Sequence, residues 1–326
     1  MVTPDQRTSL SARVLDGDLS ALARLLTRIE NDDAIGRGAL ERLYRIGGNA
    51  HLIGITGPPG AGKSTLANEM IRAYRGKGAK VAVIAIDPTS PITGGAMLGD
   101  RIRMTEWHAD PEVFIRSMAS RRFGGGLAQN ALAVVSAFDA AGFDPVIIET
   151  VGTGQDEVAI AQLALTTLLV QVPGLGDGVQ TLKAGALEIG DIIVIAKADR
   201  PEANELASDL RRLRTLTFDD AIASTSWNPP VLKTSATERT GIDELIVEIE
   251  KHRDWLRASG EMNKRLRRNA ATELASRVQA GLLRGAERHA RDAGSFEALV
   301  DEIMSRARTP QAAAEALLAA MNGGER

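Results

Sequence analysis

The chain of 326 residues contains no cysteine, and aromatic residues make up only 3% of it. Without cysteine there is no disulfide scaffold, no thiolate metal site and no cysteine nucleophile. Four histidines are too few for a His-rich metal store. The scarcity of aromatics argues against stacking on nucleic-acid bases, and a net charge of −3 favours no polyanionic partner. No apolar run approaches the ~20 residues that span a bilayer, and the first six residues carry no signal-peptide pattern. A soluble cytoplasmic protein is expected, with neither nucleic-acid nor membrane partners. The length suggests roughly two domains, or one large α/β domain with extensions.

What is present centres on Gly57-Pro58-Pro59-Gly60-Ala61-Gly62-Lys63-Ser64-Thr65, which fits the phosphate-binding pattern G-x-x-x-x-G-K-[ST]. The apolar run His51 to Thr56 before it reads as a buried strand, and Leu66, Met70, Ile71 and Tyr74 after it have helical spacing. Strand, glycine-rich loop and helix are the context that this motif requires. Glycines let main-chain N–H groups approach phosphate oxygens, and the helix N-terminus adds partial positive charge. Lys63 is expected to reach the β/γ-phosphates, and Ser64 to offer its hydroxyl to Mg²⁺.

Further apolar runs begin at Val81, Val113, Pro145, Thr167, Asp191 and Val231, separated by helical patterns. They predict a mostly parallel sheet covered by helices on both faces, an α/β P-loop NTPase fold. Ligands of such sheets sit at the carboxyl ends of strands. Glu149 lies at one such end, followed by Gly152 and Gln155: an acidic group for Mg²⁺, an N–H for the γ-phosphate and a candidate for orienting water. Asp87 ends the second run, and the oxygen-rich loop after it contains Asp100. Ala196-Lys197-Ala198-Asp199 resembles the guanine-reading motif N-K-x-D with Ala in place of Asn, and Thr234-Ser235-Ala236 matches the S-A element behind the base.

Helical patterns flank this region. A stripe from Leu19 to Ile29 follows a cap at Asp16 or Asp18, and Ile35 to Ile46 forms a second piece. After Thr240, Ile242 to Leu256 make one stripe and Met262 to Leu282 another, with Thr309-Pro310 opening a last helix. The boundaries predicted are 1–48 for a helical extension, 49–258 for the nucleotide domain and 259–326 for a helical dimerisation or partner extension. The basic run Lys264 to Arg268 reads as a solvated helix face with one core leucine.

Together these blocks resemble the MeaB/ArgK group of P-loop GTPases, which chaperone cobalamin-dependent acyl-CoA mutases. The resemblance rests on Gly54 to Thr65, Asp87 to Ser90, Thr93 to Met104, Glu149 to Val158, Pro173 to Asp191 and Lys197 to Asp199, in the family's order. It implies a homodimeric GTPase that binds GTP/GDP and Mg²⁺ and gates adenosylcobalamin loading of a mutase. Ser64, Asp87, Asp100 and Glu149 match residues around Mg²⁺ and the γ-phosphate, and Lys183 matches a lysine that enters the site with the partner. Gln155 and Asp156 are further candidates for water positioning. A small-molecule or protein kinase linked to amino-acid transport, and a nickel-delivery GTPase, are the alternatives.

Overall fold

A computed structural model describes residues 9–88, 104–120, 126–150, 155–174, 189–217, 226–292 and 295–323. Seven strands form one sheet: β1 (Leu52–Thr56), β2 (Val81–Pro88), β3 (Val113–Ser120), β4 (Val146–Thr150), β5 (Thr166–Gln171), β6 (Ile192–Ile195) and β7 (Val231–Lys233). Their order is β3-β2-β4-β1-β5-β6-β7, and every pairing is parallel. Each apolar run predicted as a strand is one. The central strands read as unbroken apolar runs because helices cover both faces.

The register aligns the functional ends. Ile55 of β1 stands opposite Glu149 of β4, and Ile86 of β2 stands opposite Thr150. The strand order reverses direction at β1, where chain segments leave towards β2 on one side and β5 on the other. This is the switch point at which open α/β sheets bind ligands.

Eleven α-helices occur among the described residues. On one face α1 (Leu10–Leu15), α2 (Leu19–Glu30) and α3 (Ala34–Tyr44) pack with α5 (Gly126–Ala140) and α6 (Gln155–Leu163). Leu22, Leu25, Leu26 and Leu43 are fully buried there beside Phe138, in one continuous core with the sheet. Asp18 caps α2 by accepting from Ala21 N–H, and Asp33 caps α3 through Gly36 N–H. The opposite face carries α4 (Lys63–Gly76) and α8 (Ile242–Ser259), whose Leu245, Ile246 and Ile249 meet Met70 and Ile71. Helix α7 (Ala203–Thr217) covers β6 and β7.

Three helices complete the chain: α9 (Glu261–Asp292), α10 (Ser295–Met304) and α11 (Pro310–Gly323). The cap at Thr309 forms as expected, accepting from Ala312 N–H. The apolar stripe of α9 turns outward instead of into a core: Leu274 is 66% exposed and Leu282 62%. In the basic run Lys264, Arg267 and Arg268 are solvated as expected, but two positions depart from the expectation. Leu266 is 47% exposed, whereas Arg265 is drawn in to grip Asp191 with both arms at 2.7 Å. A buried carboxylate at the foot of β6 needs a paired cation, and α9 passes at the right height to supply one.

That pair belongs to a buried polar chain at the amino end of the sheet. Asp191 also accepts from Thr167 N–H at 2.8 Å and faces His252 Nε2 at 3.4 Å. His252 Nδ1 lies 2.8 Å from the Thr166 hydroxyl, which lies 2.7 Å from His51 Nε2. His252 is enclosed by Trp227 and stacks on Trp255. Its proximity to Asp191 suggests an ion pair, but burial dominates and pushes its pKa down to about 4, with Asp191 opposing and Arg265 adding to the fall. The Asp191 charge is already engaged by the Arg265 fork, so His252 remains neutral. Burial likewise holds His51 well below its ordinary range.

Candidate functional site

The phosphate loop leaves β1 at Gly57, and its shape is dictated by glycine. Gly57 has φ +142°, and a Cβ there would lie 2.2 Å from the Val170 carbonyl oxygen of β5. No side chain fits that approach. Gly62 starts α4 from the left-handed region at φ 92° and supplies no side-chain cap. By contrast, α1, α2 and α3 are each capped by a side chain, Ser9, Asp18 and Asp33. The first turn of α4, with Lys63, Ser64 and Thr65, therefore begins without a side-chain cap from its N-cap residue, at the end that favours anions.

Lys63 is 5% exposed, and its Nζ donates to the carbonyls of Gly57 at 2.6 Å and Pro58 at 3.1 Å. The ammonium is thus held inside the curl of its own loop. Ala61 is fully buried, whereas Pro59, Gly60 and Thr65 are exposed. Glu149, 1% exposed, stands on the neighbouring strand two residues behind the start of the loop in register.

On the other side, β6 leads into Ala196 and Lys197. Lys197 has φ 55° and sends its Nζ to the Gly60 carbonyl at 2.9 Å. A Cβ on Gly62 would sit 3.9 Å from its Cε, so the lysine stem lies along the phosphate loop. Lys197 thus ties the base-reading loop to the phosphate loop. Asp199 accepts from the Ser235 hydroxyl at 2.7 Å, and this bond is the leading cause of its lowered pKa. The main-chain groups of Ser235 pair with Thr240 at 3.0 Å, so Ser235 reaches Asp199 through its side chain. Ala198 N–H donates to Thr234 O at 3.0 Å and brings the β6 and β7 loops together beside Ala236. Gly241 makes this possible: φ is +77°, and a Cβ would fall 2.0 Å from Lys233 O.

The structure thus gathers Gly57 to Thr65, Glu149, Lys197, Asp199, Ser235 and Ala236 at one end of the sheet. Asp87 ends β2 at the same edge, and Gln155 begins α6, with only the main chain described for each. Asp100, Gly152 and Lys183 lie outside the described residues. Among the described residues there is no cluster of three His, Cys, Asp or Glu side chains that could by itself enclose a metal, and no helix is long and apolar enough to cross a membrane.

A family model described as methylmalonyl Co-A mutase-associated GTPase MeaB matches residues 22–290. The chain belongs to the MeaB family. It is 45% identical over 315 residues to a Pyrococcus abyssi protein named as a GTPase, covering 97% of each. To the GTPase ArgK of Escherichia coli it is 37% identical over 263 residues, covering 77% of each. The crystal structure of an LAO/AO transport system kinase shares the fold with a TM-score of 0.68 at 25% identity, covering 99% of both chains. As a MeaB-family protein with an intact phosphate loop, the chain is a GTP hydrolase of the P-loop class. The Ser235 hydroxyl on Asp199 and the Lys197 tether escaped the sequence reading, although the K-x-D and S-A pairing was its available signal.

Proposed function

We propose that the chain is a Mg²⁺-dependent GTP switch that gates cofactor loading and protects a cobalamin-dependent acyl-CoA mutase. The observation that carries the nucleotide half is the Lys197–Gly60 bond, which locks the base-reading loop to the phosphate loop in one rigid edge. The family's mutase association supports the partner half. In this reading the α4 N–H groups and Lys63 bind the phosphates and stabilise charge as it develops on the γ-phosphoryl group. Asp199, oriented by Ser235, accepts from guanine N1–H and the exocyclic amine. Gly152 offers its N–H to the γ-phosphate.

The donor set fits Mg²⁺. The Ser64 hydroxyl and the carboxylates of Glu149, Asp87 and Asp100 are hard oxygen ligands, and few of them are needed because this ion keeps water and phosphate in its shell. When bound, the ion neutralises charge on the β- and γ-oxygens. Gln155 orients the attacking water, and Lys183 enters with the partner and supplies a further cation. Residues 1–48 and 259–326 act as extensions of a nucleotide domain at 49–258. A homodimer through the carboxyl-terminal helices is supported by the outward apolar stripe of α9. The same reading places the protein in the cytoplasm.

The test measures GTP turnover with and without a purified cobalamin-dependent mutase, using γ-labelled GTP. Turnover is expected to rise with the mutase and to lose that rise in Lys183→Ala, with label released to water. Unchanged turnover, or label transferred to an amino acid or protein, would overturn the proposal. The last outcome would favour kinase chemistry.

A further inference from the structure

Helix α4 carries a polar stripe that begins at the phosphate loop. Ser64, Asn68, Arg72 and Arg75 follow one another at helical spacing along one face. Beyond Ser64, this stripe holds the chain that leads from Met104 into β3. Met104 is fully buried in the same core as Leu66 and Met70 of α4.

A single 3-10 turn, Thr105–Trp107, comes next. The Asn68 amide bridges its last two residues. Its Nδ2 donates to Glu106 at 2.6 Å, and its Oδ1 accepts from the Trp107 indole N–H at 2.6 Å. An indole only donates and a carboxylate only accepts, so one orientation of the amide serves both. Arg72 donates to the two oxygens of Glu106 at 2.7 and 2.9 Å, and its guanidinium lies 5.4 Å from the centre of the Trp107 ring. Further along the helix, Arg75 pairs with Asp110 at 2.9 Å.

The order of these contacts gives the direction of the chain. Asp110 meets Arg75, whereas Glu106 and Trp107 meet Arg72 and Asn68, so the segment runs antiparallel to α4. Followed backwards from Asp110, the chain moves towards Ser64. Asn68 stands about one turn, roughly 6 Å, from Ser64 along the axis. Asp100 precedes Glu106 by six residues, enough chain to cover that distance.

Stability does not account for the arrangement. The Arg72 and Glu106 side chains are 36% and 43% exposed, and ion pairs at such positions contribute little. Yet amide, guanidinium, carboxylate and indole are all engaged with one another, which fixes the turn on the helix that starts at the phosphate loop.

We infer that Asn68 and Arg72 are positioning residues: by gripping Glu106 and Trp107 they aim the preceding chain, and with it Asp100, at the Mg²⁺ held by Ser64. The inference rests on the reading of Ser64 and Asp100 as Mg²⁺ ligands. Asn68 and Arg72 act only through Asp100 and touch neither metal nor nucleotide.

The experiment is calorimetric titration of Mg²⁺ into the full chain loaded with guanosine 5′-(β,γ-imido)triphosphate, so that no turnover is involved. GDP affinity in EDTA reports that each variant is folded. Asn68→Ala and Arg72→Met should each weaken Mg²⁺ binding about tenfold, the usual cost of losing a group that orients a ligand. Arg72→Lys should recover part of the loss. Arg75→Met cuts the Asp110 contact, farther from Ser64, and should change Mg²⁺ affinity by less than about twofold. Asn68→Ala combined with Asp100→Asn should bind Mg²⁺ no more weakly than Asp100→Asn alone. If Asp100→Asn weakens binding and the α4 variants do not, the inference is overturned and the reading of Asp100 stands. If Asp100→Asn has no effect, that reading falls and the inference with it. Additive losses in the combined variant, or an equal loss in Arg75→Met, would show a general loosening of α4 and would also overturn it. Glu106→Ala removes the same contacts from the other side and decides the matter if an α4 variant does not fold.

Discussion

The two ends of the sheet are built from different materials. At the carboxyl end, the phosphate loop works mainly through main-chain groups: the capless first turn of α4, the carbonyls that hold Lys63, and the glycines that let the backbone close on Val170. At the amino end, the polar chain His51–Thr166–His252–Asp191–Arg265 is made of side chains from the residue before β1, from β5, α8, the residue before β6 and α9. A main-chain site needs a contiguous stretch with glycine where φ is positive. A side-chain network needs no sequence spacing, only elements that meet. The first is stiff because few residues can replace glycine there. The second is stiff because each buried polar group has a neighbour that would be left uncompensated if its partner were removed.

Substitutions should separate the two ends. The largest expected effect is that of Arg265→Met, which leaves Asp191 as a buried charge. Stability to urea should fall by about 3–5 kcal/mol, while the folded fraction retains GDP affinity within about twofold. Loss of GDP binding by the folded protein would show that the two ends are coupled. Gly57→Ala should do the reverse, abolishing measurable nucleotide binding. It should also lower stability by roughly 2–4 kcal/mol, because its Cβ meets the Val170 carbonyl and its φ is unfavourable for alanine. Calorimetry with GDP and an unfolding curve would report both.

Lowering the pH probes the amino end alone. His252 is neutral in the fold with a pKa of about 4, against an ordinary value of 6.5. The unfolded chain therefore takes up protons first. The stabilisation is intact above about pH 6.5 and is lost as pH falls towards 4, up to roughly 3 kcal/mol from this group. Its loss should be blunted in His252→Gln when unfolding midpoints are compared across that range. The smallest effect concerns the carboxyl end. Ala196, 6% exposed, occupies the Asn position of the guanine-reading motif. Ala196→Asn should tighten GDP binding by about 1–2 kcal/mol. An unchanged dissociation constant would show that this position does not face the base.

The carboxyl end was largely legible in sequence because its chemistry is local. Gly57 to Thr65 specify a turn, a helix start and a cation within one short stretch, and seven apolar runs specify a buried parallel sheet. Even there, the Lys197 tether to Gly60 and the Ser235 bond to Asp199 join residues 137 and 36 positions apart, and only folding shows them meeting. The α9 stripe illustrates the opposite failure. Its spacing of four is that of a buried face, yet Leu274 and Leu282 point outward because α9 sets its buried Asn269, Ser276 and Ala280 inward. Helical periodicity says that a face is apolar, not what covers it.

By itself, the sequence determined the strand runs, the phosphate loop and the family, since each depends on residue types at fixed short spacings. The tertiary structure decided the rest: which cation neutralises Asp191, which lysine clamps the phosphate loop, and which residues of α4 hold Glu106 and Trp107. The physical reason is that charge pairing and burial depend on distance in space. A helix such as α9, crossing the amino end of the sheet about 100 residues after β5, brings Arg265 to Leu165 O with no trace of that meeting in local sequence.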